Sequence, residues 1–262
     1  MANTVYDNKI IEAKVKDLLT TSLNTRSLMT VDSELAQSAG MTKTINTYTY
    51  SGTAEEVANG QGNTSKGSIA YVPTDYTVKM VQQSFSYTDE DFMKDDSIVD
   101  NMLKGANQVM TNKMTADFVA ATNSSAITKE VEIAAGAALS YDAIVDGISE
   151  LNIEDESQVF VVIPYAWKAD LRKDDDYKAA QLGAVVYNGQ VGTICGIPVV
   201  ATKALTNKAF VMTKEAITLF IKKEIEVEQE RDADTRTNNV YLRDAYLVAL
   251  TDATKVCKIV KA

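Results

Sequence analysis

Residues 41–122 place a two-stranded arm directly before one very long helical pattern, and neither piece can bury its apolar face inside an ordinary compact domain. The helix opens on a capping signal. Thr88 is followed by Asp89, Glu90 and Asp91, a hydroxyl cap with acids in the first turn. Apolar residues then recur at Val99, Leu103, Ala106, Met110, Met114, Phe118 and Ala121, in steps of three and four that draw one stripe along a helix. Poor helix formers at 122–125 end it. A helix over 89–121 is about 50 Å long at about 1.5 Å per residue. A compact chain of 262 residues has a radius of gyration of about 18 Å, so this helix spans the molecule. Two places offer an interruption: the run Asp95, Asp96, Ser97 can cap a second helix, and Gly105 can bend the first.

The arm is read from β-branched and aromatic residues. Residues 43–50 and 69–87 have strand composition, the latter carrying Tyr71, Val72, Tyr76, Val78, Met80, Val81, Phe85 and Tyr87. Between them, 59–67 form a polar tip containing Gly60, Gly62 and Gly67. An isolated two-stranded ribbon is marginal in water, so it gains stability by lying across a neighbouring subunit.

Composition narrows the function. There are 26 basic and 36 acidic residues, a net charge of −10, which argues against a general nucleic-acid binder and an anionic membrane surface. No apolar run approaches a membrane span, and the first residues lack the pattern of a signal peptide. Cys195 and Cys257 are the only thiols, so a reduced cytoplasmic setting is expected. The chain has no histidine, which removes the commonest general base and the commonest metal ligand. No enzymatic activity and no cofactor are expected.

Along the chain, 1–40 begin with an amphipathic helix bearing Ile11, Val15, Leu18 and Leu19, followed by a polar connector with Thr25, Arg26, Ser27, Asp32 and Ser33. This helix packs either on its own core or on a neighbour. After the long helix, strands are expected at 126–133, 158–163, 185–187, 190–201, 208–212, 217–230, 238–250 and 255–260. Ser140 caps a helix with Ile144, Val145, Ile148 and Leu151, and Pro164 starts one with Trp167 and Leu171. The class is α+β.

The chemical motifs are weak. Residues 62–68 mimic a phosphate-binding loop, but Lys66 precedes the second glycine and no strand-then-helix frame surrounds it. Asp174, Asp175 and Asp176 lack the alternating spacing of a calcium loop and read as a solvated acidic turn. Glu224, Glu226, Glu228 and Glu230 alternate on one strand face against Ile225 and Val227. They form either a solvent-facing edge or an acidic strip that docks cations of a neighbour, with Arg231, Arg236 and Arg243 close in sequence.

The C-terminal part carries a more specific pattern. Gly189, Gly192, Gly196, Pro198 and Val200 lead into Ala209–Met212, then Glu215, Ala216 and Ile217, Glu226 to Glu228, Arg231, Asp232 and a closing run from Tyr246 to Leu250. This resembles tailed-phage major capsid proteins of the Hong Kong 97-type fold. The order of parts agrees over nearly the whole chain. The resemblance implies an N-terminal arm (1–40), an extended loop (41–87), a spine helix of the peripheral domain (88–125), an axial domain (126–221), return strands of the peripheral domain (222–250) and a C-terminal strand (251–262).

It further implies an icosahedral head shell of hexamers and pentamers for a double-stranded DNA phage or prophage, assembled in the bacterial cytoplasm. A portal, a separate scaffolding protein and packaged DNA without specific binding are the implied partners. The separate scaffold follows from the chain starting at the arm. Lys66 at the loop tip is a conceivable donor for the isopeptide crosslink some members make, with no partner identified. Subunit contacts are expected at Arg26, Glu55, Glu56, Lys66, Glu226, Glu228, Arg231 and Arg236. The alternatives are a bacterial nanocompartment shell of the same fold and an unrelated histidine-free enzyme.

Overall fold

The computed structural model describes residues 25–95, 97–180 and 192–261. The expected N-terminal amphipathic helix, the strand at 185–187, Asp96 and Gly189 lie outside the described residues.

The long helical pattern becomes two helices, α1 (Asp89–Lys94) and α2 (Ile98–Thr122). Thr88 and Asp91 form the reciprocal cap that the sequence announces. The break has a local cause. Asp95 is extended, and its Oδ1 accepts both the Ser97 N–H at 2.9 Å and the Ser97 hydroxyl at 2.7 Å. A short acid that satisfies a downstream amide offers the backbone an alternative to the helix. From Ile98 the helix runs unbroken past Gly105 to Thr122, burying Val99, Leu103, Ala106, Met110, Met114 and Phe118.

Two sheets pack around α2. The first has the order β1-β10-β11-β4, built from β1 (Thr30–Asp32), β4 (Lys79–Thr88), β10 (Ile217–Asp232) and β11 (Thr237–Leu250). The second has the order β5-β12-β9-β6-β8-β7. It comprises β5 (Glu130–Ile133), β6 (Val159–Pro164), β7 (Thr193–Ile194), β8 (Ile197–Thr202), β9 (Lys208–Thr213) and β12 (Val256–Lys261). Alternate residues of the second sheet serve different cores. Phe160, Val162, Phe210, Met212 and Val256 join Leu219, Val227, Leu242 and Tyr246 of the first sheet in one core with α2. Val161, Ile163, Val211, Cys257 and Ile259 face a second core with α3 (Tyr141–Leu151). Strand β6 is buried on both faces, as its unbroken apolar run requires. The short helices α4 (Lys168–Lys173) and α5 (Asp175–Ala180) follow Pro164.

The described residues alter several expectations. The stretch 69–87 is two strands, because the chain changes partner at Val78. Strand β3 (Ser68–Thr77) pairs with β2 (Thr42–Ser51) in the ribbon, while β4 enters the first sheet beside β11. The expected loop limit at 87 thus falls at the far end of a sheet strand. The limit at 221/222 falls inside β10, and β12 belongs to the second sheet. The polar connector holds a strand, β1, which pairs parallel with Thr218–Phe220. The strand expected at 126–133 starts at Glu130. Before it, the Lys258 ammonium, itself buried, donates to the Ser124 carbonyl at 2.7 Å and the Ile127 carbonyl at 3.4 Å, satisfying orphan groups beyond the end of α2.

Two helical glycines meet opposite surroundings. A Cβ on Gly147 of α3 would sit 3.0 Å from Val211 Cγ2 and 3.1 Å from Ile259 Cδ1, whereas one on Gly105 of α2 meets nothing within 4 Å. Gly105→Ala is expected to stabilise the unassembled chain by roughly 0.5–1 kcal/mol through helix propensity. Gly147→Ala loses that gain, and about 1–3 kcal/mol more, by pushing α3 off its sheet. Urea midpoints of the two variants should move in opposite directions.

Candidate functional site

The ribbon is ten residue pairs long, from Thr42 opposite Thr77 to Ser51 opposite Ser68. At about 3.4 Å per residue it reaches about 34 Å. Its root is clamped to the first sheet. Lys43 makes ion pairs with Asp32 and, at 2.9 Å, with Glu34, and its ammonium lies 5.9 Å from the centre of the Phe220 ring. Tyr76, opposite Lys43 in register, stacks on Phe220 with centroids 5.0 Å apart and planes 26° apart. The Val78 N–H donates to the Met41 carbonyl at 2.8 Å. Lys222 donates to the Leu35 carbonyl at 2.8 Å and to that of Ser38, holding the turn beside the root.

Burial opposes the Asp32 charge, but hydrogen bonds from Lys43 and the Glu34 N–H outweigh it and hold the carboxyl below its usual range. The hydrogen bonds to Asp32 and Glu34 push the Lys43 ammonium up. A lowered acid contributes above its unfolded pKa, and a raised base contributes below its own. The clamp is therefore complete between those two limits, throughout neutral pH.

Beyond the root, the ribbon's Tyr48–Tyr71 face is left open by the described residues. Antiparallel register puts Tyr48, Tyr50, Ile69, Tyr71 and Pro73 on one face. Tyr48 is 70% exposed, Tyr71 65%, Tyr50 62% and Ile69 52%. The rings of Tyr48 and Tyr71 lie 6.5 Å apart, tilted by 54°. Tyr50 folds across the ribbon's end so closely that a Cβ on Gly67 would lie 2.1 Å from its hydroxyl oxygen. Gly52 and Gly67 flank this ring, and a Cβ at either would displace the outer end of Tyr50. Contiguous exposed apolar surface of this kind is uncommon on soluble monomers and is characteristic of interaction sites.

The eight expected contact residues divide by location. Glu55, Glu56 and Lys66 lie in the tip between the ribbon strands. Glu55 accepts the Thr64 N–H and hydroxyl, each at 2.8 Å, and these bonds lower its pKa; Glu56 and Lys66 are exposed. The other five find partners within the chain. Arg26 lies 3.8 Å from Glu224. Glu226 accepts from Lys223 at 2.6 Å, and Glu228 from Arg243 at 2.5 Å. Glu230 accepts the Tyr241 hydroxyl at 3.3 Å. Arg231 pairs with Asp89 at 2.7 Å and Arg236 with Glu90 at 3.0 Å, so the β10–β11 hairpin grips the first turn of α1. Among the described residues, β10 past Phe220 pairs only with β11, so its glutamates line an edge, with cations supplied in cis. The structure does not bring Glu226 and Glu228 together with Arg231 and Arg236. Exposed pairs of this kind contribute about 0–1 kcal/mol each.

Sequence alone marks Tyr76 only as a strand residue and gives Lys43 and Phe220 no contact role. A signal existed: the apolar phase runs through Tyr76 and Val78, then slips to Val81, Phe85 and Tyr87. A slip of one residue moves a strand's apolar set to the other face, which marks the chain's passage from ribbon to sheet.

The comparisons with known proteins agree with this architecture. The family described as phage capsid protein matches residues 70–259. The major capsid protein of Staphylococcus phage phiMR11 is 25% identical over 276 aligned positions, covering 98% of this chain and 96% of that protein. The capsid structure of the cyanophage P-SCSP1u superposes with a TM-score of 0.70 at 13% identity, covering 90% of this chain and 86% of the other. The virus-like particle from Pyrococcus furiosus superposes with a TM-score of 0.67 at 8% identity, covering 96% and 98%. The last two share the fold, which is the Hong Kong 97-type capsid fold, and at such identities they say nothing finer. With the match extending from the ribbon's second strand through β12, the chain belongs to the phage capsid protein family.

Proposed function

We propose that this chain is the major capsid protein of a tailed phage or prophage and closes into its icosahedral head as hexamers and pentamers. The observation that carries the reading is the projecting ribbon, clamped at its root and bare along the Tyr48–Tyr71 face, on a chain of the capsid family. A surface of this kind is completed by a second copy, and repeating the contact around a closed shell makes many modest interfaces cooperative. In this reading the first sheet with α1 and α2 is the peripheral domain. The second sheet with α3 to α5 is the axial domain, and β12 returns to it. The role is structural, not enzymatic.

The finer assignments follow from the same reading. Assembly takes place in the bacterial cytoplasm with a scaffolding protein and a portal. The net charge of −10 keeps the wall from adhering to packaged DNA, and that repulsion acts within a Debye length of about 8 Å at physiological salt. Glu55, Glu56 and Lys66 at the tip remain the proposed contact groups of the eight whose partners are not already supplied by the chain's own cations and acids.

Electron microscopy of the purified chain, alone and co-expressed with its genomic neighbours, tests the function. Closed shells that take up DNA in the presence of packaging proteins are expected. Shells that co-purify with an enzyme cargo would favour the nanocompartment reading, and only monomers or dimers under every condition would overturn both.

A further inference from the structure

The alternate residues that β11 turns toward α2 are Val240, Leu242, Asp244, Tyr246 and Val248; four of them belong to the core, and the fifth is a carboxylate. Opposite Asp244, β10 leaves regular pairing. The register slips between Ile221 and Lys223 and again between Lys223 and Glu226, so Glu224 bulges from the ladder at this point. Arg26 places Nη2 3.8 Å from Glu224 Oε1. It belongs to the one-turn helix Arg26–Leu28, whose Leu28 packs into the same core as Leu242 and Tyr246. Asp244 is thus a half-buried carboxylate in the apolar row of β11, opposite the bulge. Its carboxylate accepts the Ala245 N–H, is attracted by Arg26 and is repelled by Glu224.

Most of the other charged groups near it have partners of their own: on β10, flanking the bulge, Lys223 holds Glu226 at 2.6 Å. On its own strand, the Tyr246 hydroxyl donates to Asp117 of α2 at 3.1 Å, and Asp117 is paired with Lys113. On β4 its ladder partner is the apolar Val81, and Lys79 stands opposite Tyr246. Arg243, which alternates to the other face, holds Glu228.

We propose that Arg26, Glu224 and Asp244 form a proton-controlled latch: with both carboxylates charged, Arg26 is their shared counter-ion and pins the 25–29 turn to the seam between helix and sheet, and protonation of Asp244 loosens it. The bulge gives the latch its geometry, because both slips of the β10–β11 ladder fall within Ile221–Glu226, beside the only acid in the apolar row. Burial pushes the Asp244 carboxyl up to about 6. The chain has no histidine, so among the described residues Asp244 is the side chain that burial brings into the range between pH 5 and 7.

The sign follows from linkage. The folded value lies above the ordinary carboxylate value, so this group opposes folding above pH 6, and its contribution improves as pH falls from 6 toward 4. Over the same window Arg26 loses one of its two anions. Acid therefore loosens the turn while relieving the core beneath it. General acid unfolding would weaken both together.

Amide exchange on the full-length chain tests the latch. The Leu28 and Met29 N–H groups bond the Thr25 and Arg26 carbonyls at 3.0 and 3.4 Å and report on the turn. After correction for intrinsic rates, their protection should fall about fivefold between pH 7.5 and pH 5, the scale of a partly exposed ion pair. Asp244→Asn should show the low protection at both pH values, with a melting temperature at pH 7.5 no lower than the parent's. Glu224→Gln, altered at an exposed carboxylate, should lower protection at pH 7.5 and keep the pH dependence. Equal protection of the parent at both pH values, a pH dependence that survives in Asp244→Asn, or unchanged protection in Glu224→Gln would each overturn the proposal.

Discussion

Replacing Tyr48 and Tyr71 together by serine leaves a chain that folds and does not close into shells. Both rings stand on the bare face of the ribbon, 70% and 65% exposed, and touch each other rather than the body of the molecule. Their loss subtracts nothing from either core, so the stability of the unassembled chain, read by urea unfolding, should stay within about 0.5 kcal/mol of the parent. At a subunit contact the arithmetic reverses. Truncating a buried aromatic anchor costs on the order of 2 kcal/mol per contact. Every subunit of a closed shell repeats the contact, so the losses multiply and the assembly threshold rises by orders of magnitude. Light scattering and electron microscopy read the outcome. Ser51→Ala and Ser68→Ala, at the ribbon's end, serve as controls that alter the same strands without the rings. Normal shells from the tyrosine double variant would remove the ribbon face from the interface.

Phe118→Ala is expected to cost about 3–5 kcal/mol, the range for deleting a buried phenylalanine. Phe118 is 1% exposed, near the C-terminal end of α2 where the core reaches both sheets. A cavity of about 40 Å³ already lies beside it, lined by Thr25, Leu28, Val162, Val200 and Thr202 among others. Removing the ring extends that void, and the β-sheet residues on one wall cannot collapse without losing ladder bonds. A loss of this size is a large share of the stability of a typical domain. The unassembled variant should therefore show a much lower urea midpoint with an unchanged slope. A shift below about 1 kcal/mol would mean that the helix and the second sheet do not share one core.

The large parts of the fold were legible because they are written locally. The Thr88–Asp91 cap, the stripe from Val99 to Phe118, the Ser140 cap and the apolar run of β6 each need only residues near in sequence. The break at Asp95 was legible as an option but not as an outcome, since it depends on whether an aspartate side chain or the helix takes the Ser97 amide. The ribbon's limits were misplaced for a longer-range reason. Strand composition is the same on both sides of Val78, and what separates β3 from β4 is the choice of partner, β2 in one case and β11 in the other. The charges divide in the same way. Alternating glutamates on β10 were visible, yet Lys223 and Arg243, which neutralise two of them, are assigned by the bulge and by strand register.

The sequence by itself determined that this chain has a spine and an arm, that histidine chemistry is absent, and that aromatic residues are concentrated along the arm. These follow from periodicity, composition and length, which do not depend on how distant segments meet. The tertiary structure alone decided which arm residues are root and which are free, since Lys43 and Tyr76 differ from Tyr48 and Tyr71 only in lying near Asp32 and Phe220. It also decided that the acid at 244 is desolvated, because burial belongs to the packed state and desolvation acts only there.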